Sequence, residues 1–192
     1  MMGRWSHGWV VGLSLTFGAL GCASTQPPLK RDLETMQRES TPAQLAQRGE
    51  AFAAVGDMTR AEQYFVAALR GGGDAGALAR RLIAVCVADG RYPAALEYAD
   101  EYLRKHPDGA DVRFAAATLR RALGDDEGAR RELERVIAIR PDLADAQYAL
   151  AQIERDDGNV MAADARFRAY LKIDPTGAHA EEARANLMSS VP

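Results

Sequence analysis

The chain has 192 residues, 47% of them apolar and 27% charged, with a net charge of −3 and a pI near 5.7. The apolar fraction is enough to fill a packed core, so wholesale disorder is excluded. The acidic balance excludes the basic footprint of a nucleic-acid binder, and two cysteines cannot build a disulfide framework.

The chain opens with Arg4 and carries no acidic residue before Asp32. Trp9 to Leu20 is a run of apolar and small residues, too short for a membrane span of about 20 residues. A positive start followed by a short apolar stretch reads as a secretory signal. The next residues, Gly18-Ala19-Leu20-Gly21-Cys22, resemble a bacterial lipobox, although Ala19 stands where that motif usually has Leu. The resemblance implies a signal peptide over 1–21 and acylation of Cys22, palmitate included. Ala23 after the cysteine implies transfer to the outer membrane, with the protein facing the periplasm. More than one acyl chain makes such anchoring stable. A plain signal peptide with an unmodified Cys22 is the alternative. Residues 22–40 are polar, carry Pro27-Pro28, and read as the lipidated cysteine and its tether. Leu29, Leu33 and Met36 allow an apolar stripe there that could fold back on the rest of the chain.

From residue 41 onward the sequence is periodic. Gly56, Gly90, Gly124 and Gly158 recur every 34 residues; so do Ala61, Ala95, Ala129 and Ala163, and Pro107, Pro141 and Pro175. A glycine ends a helix at low cost in the left-handed region, the alanine lets a second helix approach, and the proline stops that second helix. Thr41-Pro42-Ala43-Gln44 carries an N-cap, a proline at the first helical position and the capping-box glutamine. The predicted helices are 43–55, 59–70, 75–88, 92–105, 110–123, 126–139, 144–157 and 160–173. The period and these residues resemble the tetratricopeptide repeat family from Pro42 to Pro175. The resemblance implies an all-α, right-handed superhelical solenoid. Its parts would be four helix pairs over 41–175 (42–75, 76–109, 110–143 and 144–175) and a capping helix over 176–189.

Two repeats depart from the pattern. Repeat one ends in Gly71-Gly72-Gly73 without a proline, which reads either as a hinge or as a plain loop. Repeat two places Ile83 where Gly49, Ala117 and Ala151 stand elsewhere, with the small Ala99 opposite in place of Phe65, Leu133 and Phe167. The first two repeats are therefore expected to pack less regularly.

Catalytic chemistry is sparse. His106 and His179 lie near no second ligand, so no metal site or cofactor is expected. Cys86 reads as a buried thiol, and the acidic runs Asp125-Asp126-Glu127 and Asp156-Asp157 read as charges at turns and helix starts. There is no phosphate loop and no nucleophile motif. The reading is a binding protein, not an enzyme.

The family resemblance implies a concave face lined by the first helix of each repeat. Carried onto this chain, its groove positions are Ala43, Ala46, Glu50 and Ala53; Ala77, Arg80, Ala84 and Val87; Asp111, Phe114, Thr118 and Arg121; and Asp145, Tyr148, Gln152 and Arg155. Ala46 and Glu50 replace the lysine and asparagine of the carboxylate-clamp subtype, so that mode of binding is not expected. Phe114 with Tyr148, and Arg121 with Arg155, pair across adjacent repeats, which suits a peptide with apolar anchors and acidic groups. The alternative is that the two aromatics pack on neighbouring helices and the arginines pair with Asp111 and Asp145. The resemblance implies an adaptor that binds a segment of an envelope protein, in a machine such as a pilus secretin, a motility, export or outer-membrane assembly apparatus. A self-associating structural lipoprotein and a regulator of a peptidoglycan enzyme are the alternatives. The oligomeric state stays open.

Overall fold

The computed structural model describes residues 41–188. The predicted signal, Cys22 and the tether lie outside the described residues. Eight helices alternate in antiparallel pairs: α1 Pro42–Ala54 with α2 Met58–Arg70, α3 Ala75–Ala88 with α4 Tyr92–Lys105, α5 Ala110–Ala122 with α6 Asp126–Ile139, and α7 Ala144–Asp156 with α8 Val160–Ile173. A short ninth helix, α9 Ala180–Ala185, follows. Each element packs chiefly on its neighbours in sequence, so the chain is an all-α solenoid with a linear core.

The starts of the helices follow from side-chain caps. Thr41 and Gln44 form the reciprocal capping box, with Gln44 Oε1 accepting from Thr41 N at 2.9 Å. Asp57, Asp74 and Asp125 cap α2, α3 and α6 by accepting from backbone N–H groups at 2.8–3.0 Å. The acidic residues at 125–127 thus sit where a helix N-terminus favours them.

The punctuation by period 34 has a backbone cause. Gly56, Gly90, Gly124 and Gly158 have φ between +71° and +82°, the left-handed region that side chains disfavour. The second helix of repeats two, three and four ends at His106, Arg140 and Asp174, all with φ near −132° and ψ of 70–82°. Each precedes a proline, which forces its neighbour out of the helical region. Repeat one reaches the same result differently: Gly72 adopts φ +86°, and Gly73 N donates to Ala68 O at 3.0 Å. A Cβ on Gly73 would lie 2.8 Å from Leu78 Cδ1 and 3.3 Å from Pro42 Cβ. The glycine run is a packed turn, which favours the plain loop over the hinge among the two readings of the sequence.

The core is built from size-matched pairs. A Cβ on Gly49 would lie 2.6 Å from the Phe65 ring, so the small residue on α1 is what admits the large one from α2. Ala117 with Leu133 and Ala151 with Phe167 repeat this match, and all four are buried. In repeat two the sizes are exchanged: Ile83 is buried from α3 and Ala99 from α4. That pair of helices sits less closely together than the other three, whereas repeat one packs as closely as repeats three and four. The expected irregularity is thus confined to repeat two. Cys86 is fully buried in this core, and burial pushes its thiol pKa up.

The cap also differs from expectation. A helix over 176–189 would cover the last repeat; the observed helix has six residues. Asp174 to His179 instead turn back, held by Tyr170 Oη, which accepts from His179 N at 3.0 Å. Ala180 and Ala183 then close the core of the fourth repeat.

Candidate functional site: a concave recess between repeats three and four

The first helices α1, α3, α5 and α7 line one face, and that face holds two sizeable recesses. One, of about 600 Å³, lies at the N-terminal end among Thr41, Pro42, Ala43, Ala46, Glu50 and Arg81. Of the five alanine groove positions, Ala43 and Ala46 line it, beside the larger Gln47 and Leu78, and Glu50 pairs with Arg81 across it. The other, of about 570 Å³, lies between α5 and α7. Phe114, Thr118 and Arg121 line it from α5; Asp145, Tyr148, Ala149 and Gln152 line it from α7; Leu133 forms part of the floor. His179 and Glu182 close its far end.

Six of the sixteen groove positions carried over in the sequence therefore meet in one recess: Phe114, Thr118, Arg121, Asp145, Tyr148 and Gln152. Arg80 and Asp111 line a smaller adjoining recess of about 270 Å³, with Tyr102 and Arg140. Val87 is exposed on α3 and borders neither. Arg155 sits beside the cap, where it reaches Asn186 Oδ1 at 3.4 Å and Glu182 at 3.6 Å.

The two aromatics are not presented alike. Phe114 is half-buried and open to the recess. Tyr148 is buried, because the His179 ring lies on it and the Phe167 and Tyr170 rings meet its edge. The arginines are also committed. Arg121 donates to Gln152 Oε1 at 2.7 Å and to Asp156 Oδ2 at 2.8 Å, and Gln152 Nε2 donates to Tyr148 Oη at 2.9 Å. Neither arginine pairs with Asp111 or Asp145. Asp111 pairs instead with Arg140 at 2.7 Å.

Burial and the facing Glu182 carboxylate push the Tyr148 phenol up to about 12. The same phenol, with Gln152 and Arg155, holds the Glu182 carboxyl below its ordinary value. Ala117, Leu133, Ala149, His179 and Glu182 are the recess residues that the groove positions left out. The Leu133 position was legible as core. No local pattern carried His179 and Glu182, because a turn and not a continuous helix brings them back. Among the described residues, no group of three or more His, Cys, Asp or Glu converges as a metal ion would need. No helix there is long and apolar enough to cross a membrane.

Stacked helix pairs with an open, peptide-sized recess on their concave side define a class of protein-interaction scaffold. Two family models, both described as tetratricopeptide repeat, match the chain over residues 47–110 and 87–153, together more than half of it. The chain belongs to the tetratricopeptide repeat family. Its fold is similar to that of a tetratricopeptide repeat protein from Parabacteroides merdae ATCC 43184, with a TM-score of 0.67 and 22% identity over 76% of this chain. The chain spans 58% of that protein's length. YrrB, described as a TPR protein with an unusual peptide-binding site, matches with a TM-score of 0.64 and 20% identity, covering 82% of this chain and 86% of its own. MamA matches with a TM-score of 0.63 and 16% identity, covering 81% and 88%. No curated protein matches the chain significantly.

Proposed function

We propose that the chain is a non-enzymatic adaptor, held at the outer membrane through a lipidated Cys22 with its repeats facing the periplasm. Its concave face docks a segment of a cell-envelope protein and so supports assembly of a multiprotein envelope machine. The observation that carries this reading is the open recess between α5 and α7, with the half-buried Phe114 ring in its wall. An apolar anchor site framed by satisfied polar groups is what a docked segment needs. The peptide-binding site named for YrrB supports the same use of this fold. The lipobox-like leader supports the address. Confining both molecules to one surface raises their effective concentration, so modest affinity in the recess suffices.

The test places a photocrosslinking residue at Thr118, exposed in the recess, or at Arg131, exposed on the outer helix α6. In cells, a discrete envelope protein crosslinks from Thr118 and not from Arg131. Crosslinks from Arg131 alone overturn the concave assignment. In parallel, Cys22→Ser moves the protein from the membrane to the soluble fraction; unchanged partition overturns the lipid anchor.

A further inference from the structure

The concave face neutralises nearly all of its own charge. Glu50 pairs with Arg81, Asp111 with Arg140, Arg121 with Asp156, and Arg155 with Asp156 and Glu182. Two groove positions stand outside this pattern. Arg80 on α3 and Asp145 on α7 are both exposed, and neither has an oppositely charged side chain within ion-pair distance among the described residues. Arg80 shares its recess with Asp111, whose carboxylate is held by Arg140, and with the exposed Asp108, and it acts on Asp74 from beyond ion-pair distance. Asp145 shares its recess with Phe114.

These residues follow an order along the solenoid: Arg80 on repeat two, Phe114 on repeat three, Asp145 on repeat four. Directly packed helices are spaced about 8–10 Å apart, and α3, α5 and α7 pack on one another mainly through the second helices between them, so the two free charges lie at least roughly 20 Å apart, with Phe114 on the repeat between them. An extended chain rises about 3.3 Å per residue, so about six residues cover that span. From this we infer that the occupant of the concave face is a short extended segment of a partner protein with charges of opposite sign at its ends. Its acidic residue meets Arg80, a central apolar residue meets Phe114, and a basic residue meets Asp145. The acidic groups that the sequence reading set against Arg121 and Arg155 are disfavoured, because both arginines are already engaged. This inference rests on the concave docking reading above.

The chain's own residues Lys30-Arg31-Asp32-Leu33-Glu34 carry related chemistry and are the competing occupant. The probes are capped, fluorescent heptapeptides with Leu at the centre, Ala between, and end residues Lys/Glu, Glu/Lys, Lys/Lys or Glu/Glu. Fluorescence anisotropy is read against the full chain. The wild type binds the better of the two mixed-charge peptides roughly fivefold more tightly than either same-charge peptide, the size that one exposed ion pair gained and one like-charge contact removed supply. Arg80→Glu shifts the preference to Lys/Lys, and Asp145→Lys shifts it to Glu/Glu. Both residues are exposed, so each variant keeps its helical content.

Equal binding of all four peptides, lost in Phe114→Ala, overturns the charge assignment and leaves the groove reading standing. Equal binding that Phe114→Ala leaves intact overturns both. If no peptide binds the wild type, but peptides bind a variant with serine at 30, 31, 32 and 34, the segment is the chain's own and the partner inference falls. Absence of binding to every variant also overturns it.

Discussion

The ring of Tyr148 lies flat on the ring of His179, with centroids 4.0 Å apart and planes 9° from parallel. This contact decides the shape of the recess. It buries the aromatic that the repeat pattern would otherwise present beside Phe114, and it brings the cap round to close one end. Tyr170 on α8 reinforces it by accepting from the His179 backbone, so two aromatic residues of repeat four hold a single turn. An aromatic stack contributes about 0.5–1.5 kcal/mol beyond its buried area. We expect His179→Ala to lower the stability of the whole chain by about that amount, read by urea denaturation, and to raise hydrogen exchange in α9 above that in α1. Exchange that rises equally at both ends would mean that the stack does not hold the cap.

The size-matched pairs yield a separate test. Gly49→Ala drives a methyl group into the Phe65 ring, and overpacking of this kind costs about 1–3 kcal/mol. Phe65→Leu should recover part of that loss in the double variant. Gly124→Ala meets open space but must hold φ +81°, which costs about 1–2 kcal/mol, and no partner substitution should recover it. Thermal unfolding of these three variants and of Phe65→Leu alone separates clash from backbone strain. Failure of Phe65→Leu to relieve Gly49→Ala would remove the clash as the cause.

How far the sequence foretold these features follows from their physics. The turn glycines and the prolines after each second helix were legible because they answer a local backbone demand that recurs every 34 residues. The exchange of Ile83 and Ala99 was legible because the other repeats supply the reference. That a cap follows Pro175 was legible, but its shortness was not, since the turn before α9 depends on Tyr170 and Tyr148, which lie on earlier helices. The arginine pairing was not either. Arg121 has carboxylates within reach on the next repeat, and spacing does not say that it takes Asp156 while Asp145 stays free. Such choices are settled by side-chain packing across a repeat junction, 35 residues apart in the case of Arg121 and Asp156.

The second and third repeats are also joined by buried charge. Arg113 on α5 is 7% exposed and donates to Glu132 on α6 and to the Pro107 carbonyl in the turn before α5. It therefore ties that turn to the second helix of repeat three. Removing one member of a buried pair leaves the other uncompensated, at about 3–5 kcal/mol, whereas replacing both by apolar residues is often nearly neutral. Arg113→Leu is expected to be severely destabilising, and Arg113→Leu with Glu132→Leu much less so. Chemical denaturation checks this. Additive losses in the double variant would show that the two side chains act independently.

The response to acid should be strongest at the C-terminal end, where two of the three depressed carboxyls lie; the third, Asp74, is held low by the Ala77 N–H at the start of α3. The facing Tyr148 phenol holds the Glu182 carboxyl below its ordinary value of 4.5, and Arg168 with the Met188 N–H holds Asp164 below 3.8. A carboxyl depressed in the folded state stabilises it above the unfolded pKa, and that contribution is lost as pH falls through the folded value. Acidification below about pH 4 should therefore loosen α8 and α9 before α1 and α2, and Glu182→Gln should make this acid limb shallower. On the alkaline side the sign reverses. The Tyr148 phenol is raised from 10.0 to about 12 in the folded chain, so its contribution is intact below pH 10 and falls as pH rises toward 12. Tyr98, raised by burial and by Glu62, acts in the same direction. Tyr148→Phe should therefore weaken the alkaline limb without abolishing it. Phenolate absorbance compared with Tyr148→Phe isolates this one tyrosine. A Tyr148 signal titrating at the ordinary phenol value would mean that the recess leaves its hydroxyl open to water and that the cap does not close over it.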